Sequence, residues 1–244
     1  MYDWLSFVAA RCQLPVATAF ELEQRGFVVI PGPVAPSRME ALADAYDAAM
    51  ASATGDDIKV GSTTTRVSDF VNRGSEFDDL YVFPPLLEAC SRVIGRPFKL
   101  SSLLARTLRP HEPAQELHVD VRRDSADWPL LGFILMVDDF RPDNGATRLV
   151  SGSHTWTGHP QDTISDLRAE HDSQVLACGN AGSLLIFNGS TWHGHTANTS
   201  SGPRRSLQGF FVPRDGRAGT DFGARMQPET RARLGPLAQY VLAI

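Results

Sequence analysis

The second half of the chain is a succession of short β-like runs separated by turn signals. From residue 98 onward these runs are FKLSSLLARTL, QELHVDVR, LLGFILMVDDF, ATRLVS, SQVLAC, AGSLLIF and RRSLQGFFV. The stretch PDNGA at 142–146 is a strong turn signal. Seven or eight strands at this spacing predict a mainly β fold, either a sandwich or a double-stranded β-helix of the cupin-like jelly-roll type.

The first hundred residues are typical of helices around one strand. RGFVVIPG has a β-branched centre between glycines and predicts a strand at 27–30. Helices are predicted over 35–52, where apolar residues recur at helical spacing, and from Pro84 to a stop at Gly95. Residues 54–76 have no clear period and predict a long polar loop, which is either a lid or disordered.

These patterns predict a single domain over residues 1–244. A helical part reaches to about residue 97, a jelly-roll core covers about 98–213, and a final helix covers about 228–243. A content of 42% hydrophobic residues in 244 suits one sizeable core of this kind.

Charge and cysteine content exclude several classes of protein. The net charge of −5 without a long basic run argues against a nucleic-acid partner. The longest apolar run, at 130–137, is too short to span a bilayer, so no membrane association is expected. Cys12, Cys90 and Cys178 are far apart, which favours reduced thiols in a cytoplasmic protein.

The run QELHVDVR contains a histidine and an aspartate two residues apart. In a strand, alternate residues share a face, so His118 and Asp120 are predicted to project together. An imidazole and a carboxylate suit a divalent iron when a second histidine completes a facial triad. Such a pair also arises by chance, and the alternative is a core histidine hydrogen-bonded to a neighbour.

The best source of the second histidine is STWHGHTANTS, where His193 and His195 also share a face. Eleven residues after His193, Arg204 opens the strand RRSLQGFFV. An arginine that faces into a barrel is costly unless it meets an anion, and its guanidinium suits a carboxylate. These residues therefore predict iron together with a dicarboxylic cosubstrate.

The order H-x-D, NGATRLVSGSH and WHGHTANTSSGPRR resembles the phytanoyl-CoA dioxygenase (PhyH) family of iron(II)/2-oxoglutarate-dependent oxygenases. That family shows H-x-D, an N-G-x-x-x-x-x-P-G-S-H stretch, and a distal histidine followed by asparagine at five and arginine at eleven residues. The matching positions run from Asn144 to His154 and then fall on His193, Asn198 and Arg204. The resemblance covers about residues 25–213. It departs at Ser151, where the family has proline, and at His195, where a small residue is frequent.

The resemblance implies that His118, Asp120 and His193 bind Fe(II), and that Arg204 pairs with the 5-carboxylate of 2-oxoglutarate. The cosubstrate and O2 then yield succinate and CO2 while a C–H bond of the substrate is oxidised. The spacings to Asn198 and Arg204 favour His193 over His195 as the ligand. His195 is expected beside the cosubstrate as a hydrogen-bond donor.

Asp120 also bears on the outcome of the reaction. Related halogenases have a small residue in its place, so the aspartate favours hydroxylation, or another oxidation such as desaturation. Two other classes stay open, a non-oxidative cupin-like metal enzyme and a binding module without catalysis. Arg204 counts against the first, and the intact set of four residues counts against the second.

The substrate is expected to be a small or mid-sized metabolite. If the strand continues past Asp120, Arg122 shares its face and could bind a substrate anion; the alternative is an ion pair with Asp124 or Asp127. Trp128 is a candidate cover for the site, and Arg66 in the polar loop is a further substrate-binding candidate. The oligomeric state is not predicted.

Overall fold

The helices lie mainly at the two ends of the chain. The computed structural model describes residues 14–244. Its α-helices are α1 Val16–Arg25, α2 Met39–Ser52, α3 Asp78–Tyr81, α4 Pro84–Ile94, α5 Pro160–Thr163, α6 Phe222–Arg225, α7 Pro228–Arg233 and α8 Pro236–Leu242. Helix α2 buries Met39, Leu42, Tyr46 and Ala49, as the helical spacing predicts. Helix α4 begins on prolines and ends at Gly95, whose φ of 68° suits glycine.

Two antiparallel sheets form the core of the fold. The strands are β1 Phe27–Pro31, β2 Ile58–Val60, β3 Thr64–Val67, β4 Phe98–Leu108, β5 Leu131–Met136, β6 Thr147–Val150, β7 Gln174–Ala177, β8 Ser183–Asn188, β9 His193–His195 and β10 Arg204–Pro213. The larger sheet has seven strands in the order β1-β8-β5-β10-β4-β3-β2. The smaller sheet has the order β7-β6-β9.

Apart from its edge strand β2, the larger sheet is buried on both faces. One face packs against the helices in a cluster that includes Leu103, Leu207 and Phe211. The other face, with Ile134 and Phe187, packs against residues of the smaller sheet such as Leu149. This explains why β5 and β8 are apolar at nearly every position instead of alternating. Polar residues on the inner faces therefore require a specific reason.

The prediction for residues 54–76 as an irregular loop is wrong. Strands β2 and β3 form a hairpin, and β3 pairs with β4 at the edge of the larger sheet. All three residues of β2 are exposed, so no apolar alternation signals the strand. The carboxylate of Asp57 fixes this segment through ion pairs with Arg73 and Arg225. The predicted boundary at residue 97 is also wrong, because β1, β2 and β3 belong to the larger sheet.

Two further predicted elements differ from the structure. The run at 115–122 is not a regular strand: it makes an isolated bridge at His118 and turns after Asp120. The helix predicted over 228–243 is two helices, because Pro236 lacks an amide hydrogen and excludes helical geometry at Gly235. In the part of the chain from 14 to 244, no helix is both long and apolar enough to cross a membrane.

Candidate metal centre and anion-binding residues

Two segments far apart in the chain bring the candidate metal ligands together. The amide of His118 donates to the carbonyl of His193 at 2.9 Å, and the amide of His193 donates back at the same distance. Strand β9, which holds His193, is in turn paired with β6. The H-x-D segment therefore lies alongside the smaller sheet at its β9 edge.

The side chains of His118, Asp120 and His193 form a compact cluster. One ligand atom from each lies within 4.8 Å of the others. Nδ1 of His118 donates to the carbonyl of Glu116 at 3.0 Å, and Nδ1 of His193 donates to the carbonyl of Thr191 at 2.8 Å. These bonds place the ring proton on Nδ1 and leave each Nε2 free to bind a metal.

Asp120 and His193 are electrostatically paired. Nε2 of His193 is 3.4 Å from Oδ2 of Asp120, and the two side chains are 6% and 18% exposed respectively. Burial opposes the charged form of both groups, but their mutual attraction dominates. The pKa of Asp120 is therefore lowered and that of His193 is raised. Burial and the neighbouring His193 lower the pKa of His118 to about 4, so this ring is neutral at pH 7.

The donor set fits a non-haem iron. Two imidazole nitrogens and one carboxylate are the ligands of the facial triad, and the three donors stand close enough to share one ion. His195 is not part of this cluster. The structure thus brings together the three residues that the sequence singled out, and their role as iron ligands stays a prediction.

Arg204 is a buried cation that takes part in no ion pair within residues 14–244. Its residue is 3% exposed, and its guanidinium carbon lies 4.1 Å from the centroid of the Phe140 ring. Within the described chain, Nη1 donates to the carbonyl of Gly145 and Nε has no partner. Burial, together with nearby Arg106, lowers the pKa of Arg204 to about 9. A carboxylate at this position would remove an unfavourable buried charge.

Comparison with known proteins places the chain in a family. The model of the phytanoyl-CoA dioxygenase (PhyH) family matches residues 22–206. The chain belongs to this family. The resemblance seen in the sequence is therefore confirmed, and with it the assignment to a family of dioxygenases.

Curated relatives of this PhyH-family chain are also named dioxygenases. The dioxygenase trt7 of Aspergillus terreus is 28% identical over 217 residues, which cover 82% of this chain and 73% of trt7. The dioxygenase ALT11 of Alternaria alternata is 30% identical over 214 residues, which cover 75% of this chain and 66% of ALT11.

Solved structures share the fold. The epimerase SnoN from nogalamycin biosynthesis, in complex with Fe3+, α-ketoglutarate and nogalamycin RO, superimposes with a TM-score of 0.68 at 17% identity. The match covers 87% of this chain and 89% of SnoN. HygX from Streptomyces hygroscopicus, with nickel and 2-oxoglutarate bound, gives 0.67 at 16% identity and covers 84% of this chain and 89% of HygX. The predicted jelly-roll core is confirmed.

Other family-motif residues build the frame around Arg204. The side-chain Nδ2 of Asn144 donates to the carbonyl of Asp139 at 2.8 Å and holds the turn that contains Gly145. Gly145 has a φ of 83°, and a Cβ there would lie 2.1 Å from the Leu108 side chain. Asn198 is fully buried and donates to the carbonyls of Arg109 and Gly202. Both asparagines therefore shape loops and do not face the metal cluster.

The departure from the family pattern at Ser151 has a structural reason. The amide of Ser151 donates to the carbonyl of Ser173 at 3.0 Å. A proline at this position has no amide hydrogen and would lose that bond. The substitution concerns a turn, and the candidate ligands are unaffected by it.

His195 is held by two hydrogen bonds within the protein. Nδ1 of His195 donates to the carbonyl of Thr196 at 2.8 Å, and Nε2 lies 3.1 Å from the hydroxyl of Thr63. Burial lowers the pKa of His195 to about 3, so the ring is neutral. Nε2 accordingly accepts the Thr63 hydrogen. In this tautomer Nε2 accepts rather than donates, and a role of His195 beside the cosubstrate stays a prediction.

The candidate substrate residues separate into two regions. Arg66 lines a cavity of about 380 Å³ together with His118. Arg122 lies in a turn, pairs with Asp124 at 3.1 Å, and lines a separate cavity of about 330 Å³. The prediction that Arg122 faces the metal centre required a strand over 115–122, and the structure has no regular strand there. Trp128 is 37% exposed and lines neither cavity.

Sequence reasoning missed Arg106. It lies on β4, lines the same cavity as His118, and has a buried Nε without a partner in the described chain. The signal was available, because Arg106 follows the apolar residues Leu103, Leu104 and Ala105 within the predicted strand FKLSSLLARTL. The same reasoning about the cost of an inward arginine would have identified it.

Proposed function

We propose that this protein is an iron(II)- and 2-oxoglutarate-dependent oxygenase that hydroxylates a small or mid-sized metabolite. The observation that carries the proposal is the cluster of His118, Asp120 and His193 combined with the buried guanidinium of Arg204, which has no carboxylate partner in the described chain. Burial of such a cation is unfavourable in a protein that never binds an anion there. Membership of a dioxygenase family and the iron- and 2-oxoglutarate-bound structures of similar fold support it.

Each residue then has a defined task. His118, Asp120 and His193 hold Fe(II), which together with 2-oxoglutarate and O2 supplies the oxidation of a C–H bond. The carbonyls of Glu116 and Thr191 orient the two imidazoles through Nδ1. Arg204 binds the 5-carboxylate of 2-oxoglutarate, and the Phe140 ring supports the guanidinium from one side.

Hydroxylation is one of several outcomes open to this kind of site. Solved structures of the same fold include the epimerase SnoN and the carbocyclase SnoK. Asp120 keeps the carboxylate ligand, which favours hydroxylation, or another oxidation such as desaturation, over halogenation, and hydroxylation is the outcome that we propose. A non-oxidative metal enzyme is the weaker candidate, because it would leave Arg204 buried without a purpose.

Anaerobic titration with Fe(II) and 2-oxoglutarate tests the proposal. The visible charge-transfer band of the iron chelate is expected in the wild-type protein and absent in His193→Ala. His195→Ala is the matched control and should keep the band. Loss of the band in His195→Ala with retention in His193→Ala would contradict the ligand assignment.

Product mass separates the finer outcomes. A hydroxylated product gains one oxygen atom, a desaturated product loses two hydrogens, and an epimer keeps its mass. Oxidation of the substrate without gain of oxygen would overturn hydroxylation and leave the cofactor assignment standing.

A further inference from the structure

The cavity of about 330 Å³ lies behind the segment that carries two of the candidate metal ligands, and we call it the rear cavity. Val119, Val121 and Trp192 line it, whereas none of the three candidate ligands does. Val119 and Val121 alternate with the ligands along the chain, and Trp192 directly precedes His193, so their side chains point away from the metal. Trp192 accordingly belongs to one apolar cluster, while the His193 ring lies 4.8 Å from Phe187 in another.

A group of aromatic rings forms one wall of the rear cavity. The rings of Trp156 and Trp192 meet edge to face at 5.0 Å, and the His171 ring lies 5.9 Å from that of Trp156. Ser153 fixes both tryptophans, because its hydroxyl accepts from the amide of Trp192 at 2.8 Å and its carbonyl accepts from the amide of Trp156 at 3.0 Å. Trp156 is nevertheless 39% exposed. The wall therefore offers a preoriented indole with uncovered surface, on which another ring can stack.

The position of Trp156, and not its exposure alone, distinguishes it. Trp128 is 37% exposed as well, but it lines neither the rear cavity nor the cavity beside His118. Single exposed aromatic residues are ordinary on protein surfaces, whereas ligand sites are concave and mostly apolar with a few polar groups. The rear cavity has this character, and its volume lies at the small end of the range for ligand sites.

The rim of the rear cavity carries a cation without a carboxylate partner. Arg122 is already engaged, because its Nε and Nη2 donate to the two carboxylate oxygens of Asp124 at 3.1 and 3.2 Å. The adjacent Arg123 takes part in no ion pair among residues 14–244. Its Nη1 donates to the carbonyl of His154 at 3.1 Å, which orients the guanidinium and leaves its charge available for a carboxylate.

We propose that the rear cavity is a second small-molecule site, which takes a planar aromatic acid. The ring of the ligand stacks on Trp156 above Val119 and Val121, and its carboxylate pairs with Arg123. Because no candidate metal ligand lines the cavity, the aromatic acid binds together with metal and 2-oxoglutarate and does not compete with them. The site is independent of the reaction at the metal centre.

Calorimetric titration with 2-naphthoate tests the site. The protein is first loaded with Zn(II) and saturating 2-oxoglutarate, so that the metal centre is filled, and 2-naphthoate should then bind at a single site. Trp156→Ala should weaken binding about tenfold or more, because the ring loses the surface on which it stacks, and Trp156→Phe should be intermediate. Trp128→Ala is the matched control, equally exposed but outside the cavity, and should change binding less than twofold.

The charge requirement is tested with two partial ligands. The alcohol 2-naphthalenemethanol keeps the rings without the charge, and acetate keeps the charge without the rings. Since an ion pair at an exposed rim contributes modestly, the wild type should bind 2-naphthoate about threefold more tightly than the alcohol, and acetate most weakly. Arg123→Gln should remove the advantage of 2-naphthoate over the alcohol. Arg122→Gln is the control, because its charge is already paired with Asp124, and should keep that advantage.

Three results would overturn the proposal. One is absence of 2-naphthoate binding to the wild type, or equal binding in Trp156→Ala. Another is equal affinity of the wild type for 2-naphthoate and the alcohol, which would exclude an acid as the ligand. The third is displacement of 2-naphthoate by 2-oxoglutarate, which would place the probe at the cosubstrate position. Failure of the proposed function appears separately, as absence of the anaerobic iron–2-oxoglutarate band in the wild type.

Discussion

Arg148 and Arg204 are both buried arginines, yet their surroundings differ. They are 1% and 3% exposed respectively. Arg148 donates hydrogen bonds to five oxygens, those of Gln115 O, Leu167 O, Arg168 O, Ala169 O and Gln174 Oε1. Arg204 donates to one, the carbonyl of Gly145, and otherwise lies on the Phe140 ring.

This difference separates a structural cation from one that awaits a ligand. Burial lowers the pKa of both guanidinium groups, so each is costly to enclose. The carbonyls around Arg148 offset that cost within the protein itself. Arg204 lacks such hydrogen bonds, so we expect a bound carboxylate to offset the cost of its burial. The comparison implies that Arg148 contributes to stability and Arg204 to cosubstrate affinity.

The largest expected effect is on folding, in Arg148→Gln. Hydrogen bonds to charged groups contribute about 1.5–3 kcal/mol each, and glutamine can replace only some of them. We expect the free energy of unfolding to fall by about 3–5 kcal/mol in urea denaturation, with Arg148→Lys intermediate. An unchanged free energy of unfolding in Arg148→Gln would contradict the assignment of Arg148 to stability.

Arg204→Ala should affect the cosubstrate. Removing one partner of a buried charge pair typically costs about 2–5 kcal/mol, so the apparent constant for 2-oxoglutarate should rise well over tenfold. Without cosubstrate, the free energy of unfolding should change by about 1 kcal/mol or less, since one hydrogen bond is lost. A large loss of stability with an unchanged 2-oxoglutarate constant would make Arg204 a second structural cation.

Thermal unfolding sharpens the same contrast. A ligand present at about 100 times its Kd stabilises a protein by about 2.7 kcal/mol. In the presence of Zn(II), 2-oxoglutarate should raise the melting temperature of the wild type and of Arg148→Lys. 2-Oxoglutarate should raise the melting temperature of Arg204→Ala only slightly. An equal rise in all three proteins would show that Arg204 does not contact the cosubstrate.

The smallest effect is expected at the neighbouring Arg205. This side chain faces the opposite side of β10 and pairs with Asp138 and Asp47, with 24% of its surface exposed. Partly exposed ion pairs contribute about 0.2–1 kcal/mol, so Arg205→Ala should cost about that much stability. Its 2-oxoglutarate constant should equal that of the wild type. A large rise in the 2-oxoglutarate constant of Arg205→Ala would mean that Arg205, and not Arg204, faces the cosubstrate.

Much of the fold was accessible from the sequence because burial leaves periodic patterns. Strand β4 was predicted with its observed limits, and β5 and β8 were evident from their apolar runs. Strand β2 was not, because its three side chains are exposed and carry no pattern. The strand predicted at 115–122 failed for another reason: HVDV alternates like a strand, but only His118 finds a bridging partner.

The candidate site was accessible to a similar degree. Fixed spacings along the chain identified His118, Asp120, His193 and Arg204, because those residues lie within short motifs. The position of Arg106 opposite Arg66 depends on the register between β3 and β4, which no local motif encodes. Arg148 went unnoticed for a related reason, since its partners are backbone carbonyls from distant loops.

The hydrogen bonds of Arg148 also have a consequence for the dynamics of the site. Nη2 joins the carbonyls of Gln115 and Leu167, and the amide of Leu117 donates to that same Leu167 carbonyl at 2.9 Å. The loop at 167–169 and the segment that leads into His118 therefore open and close as one unit. A metal bound at His118 should slow amide exchange in a loop that never touches it.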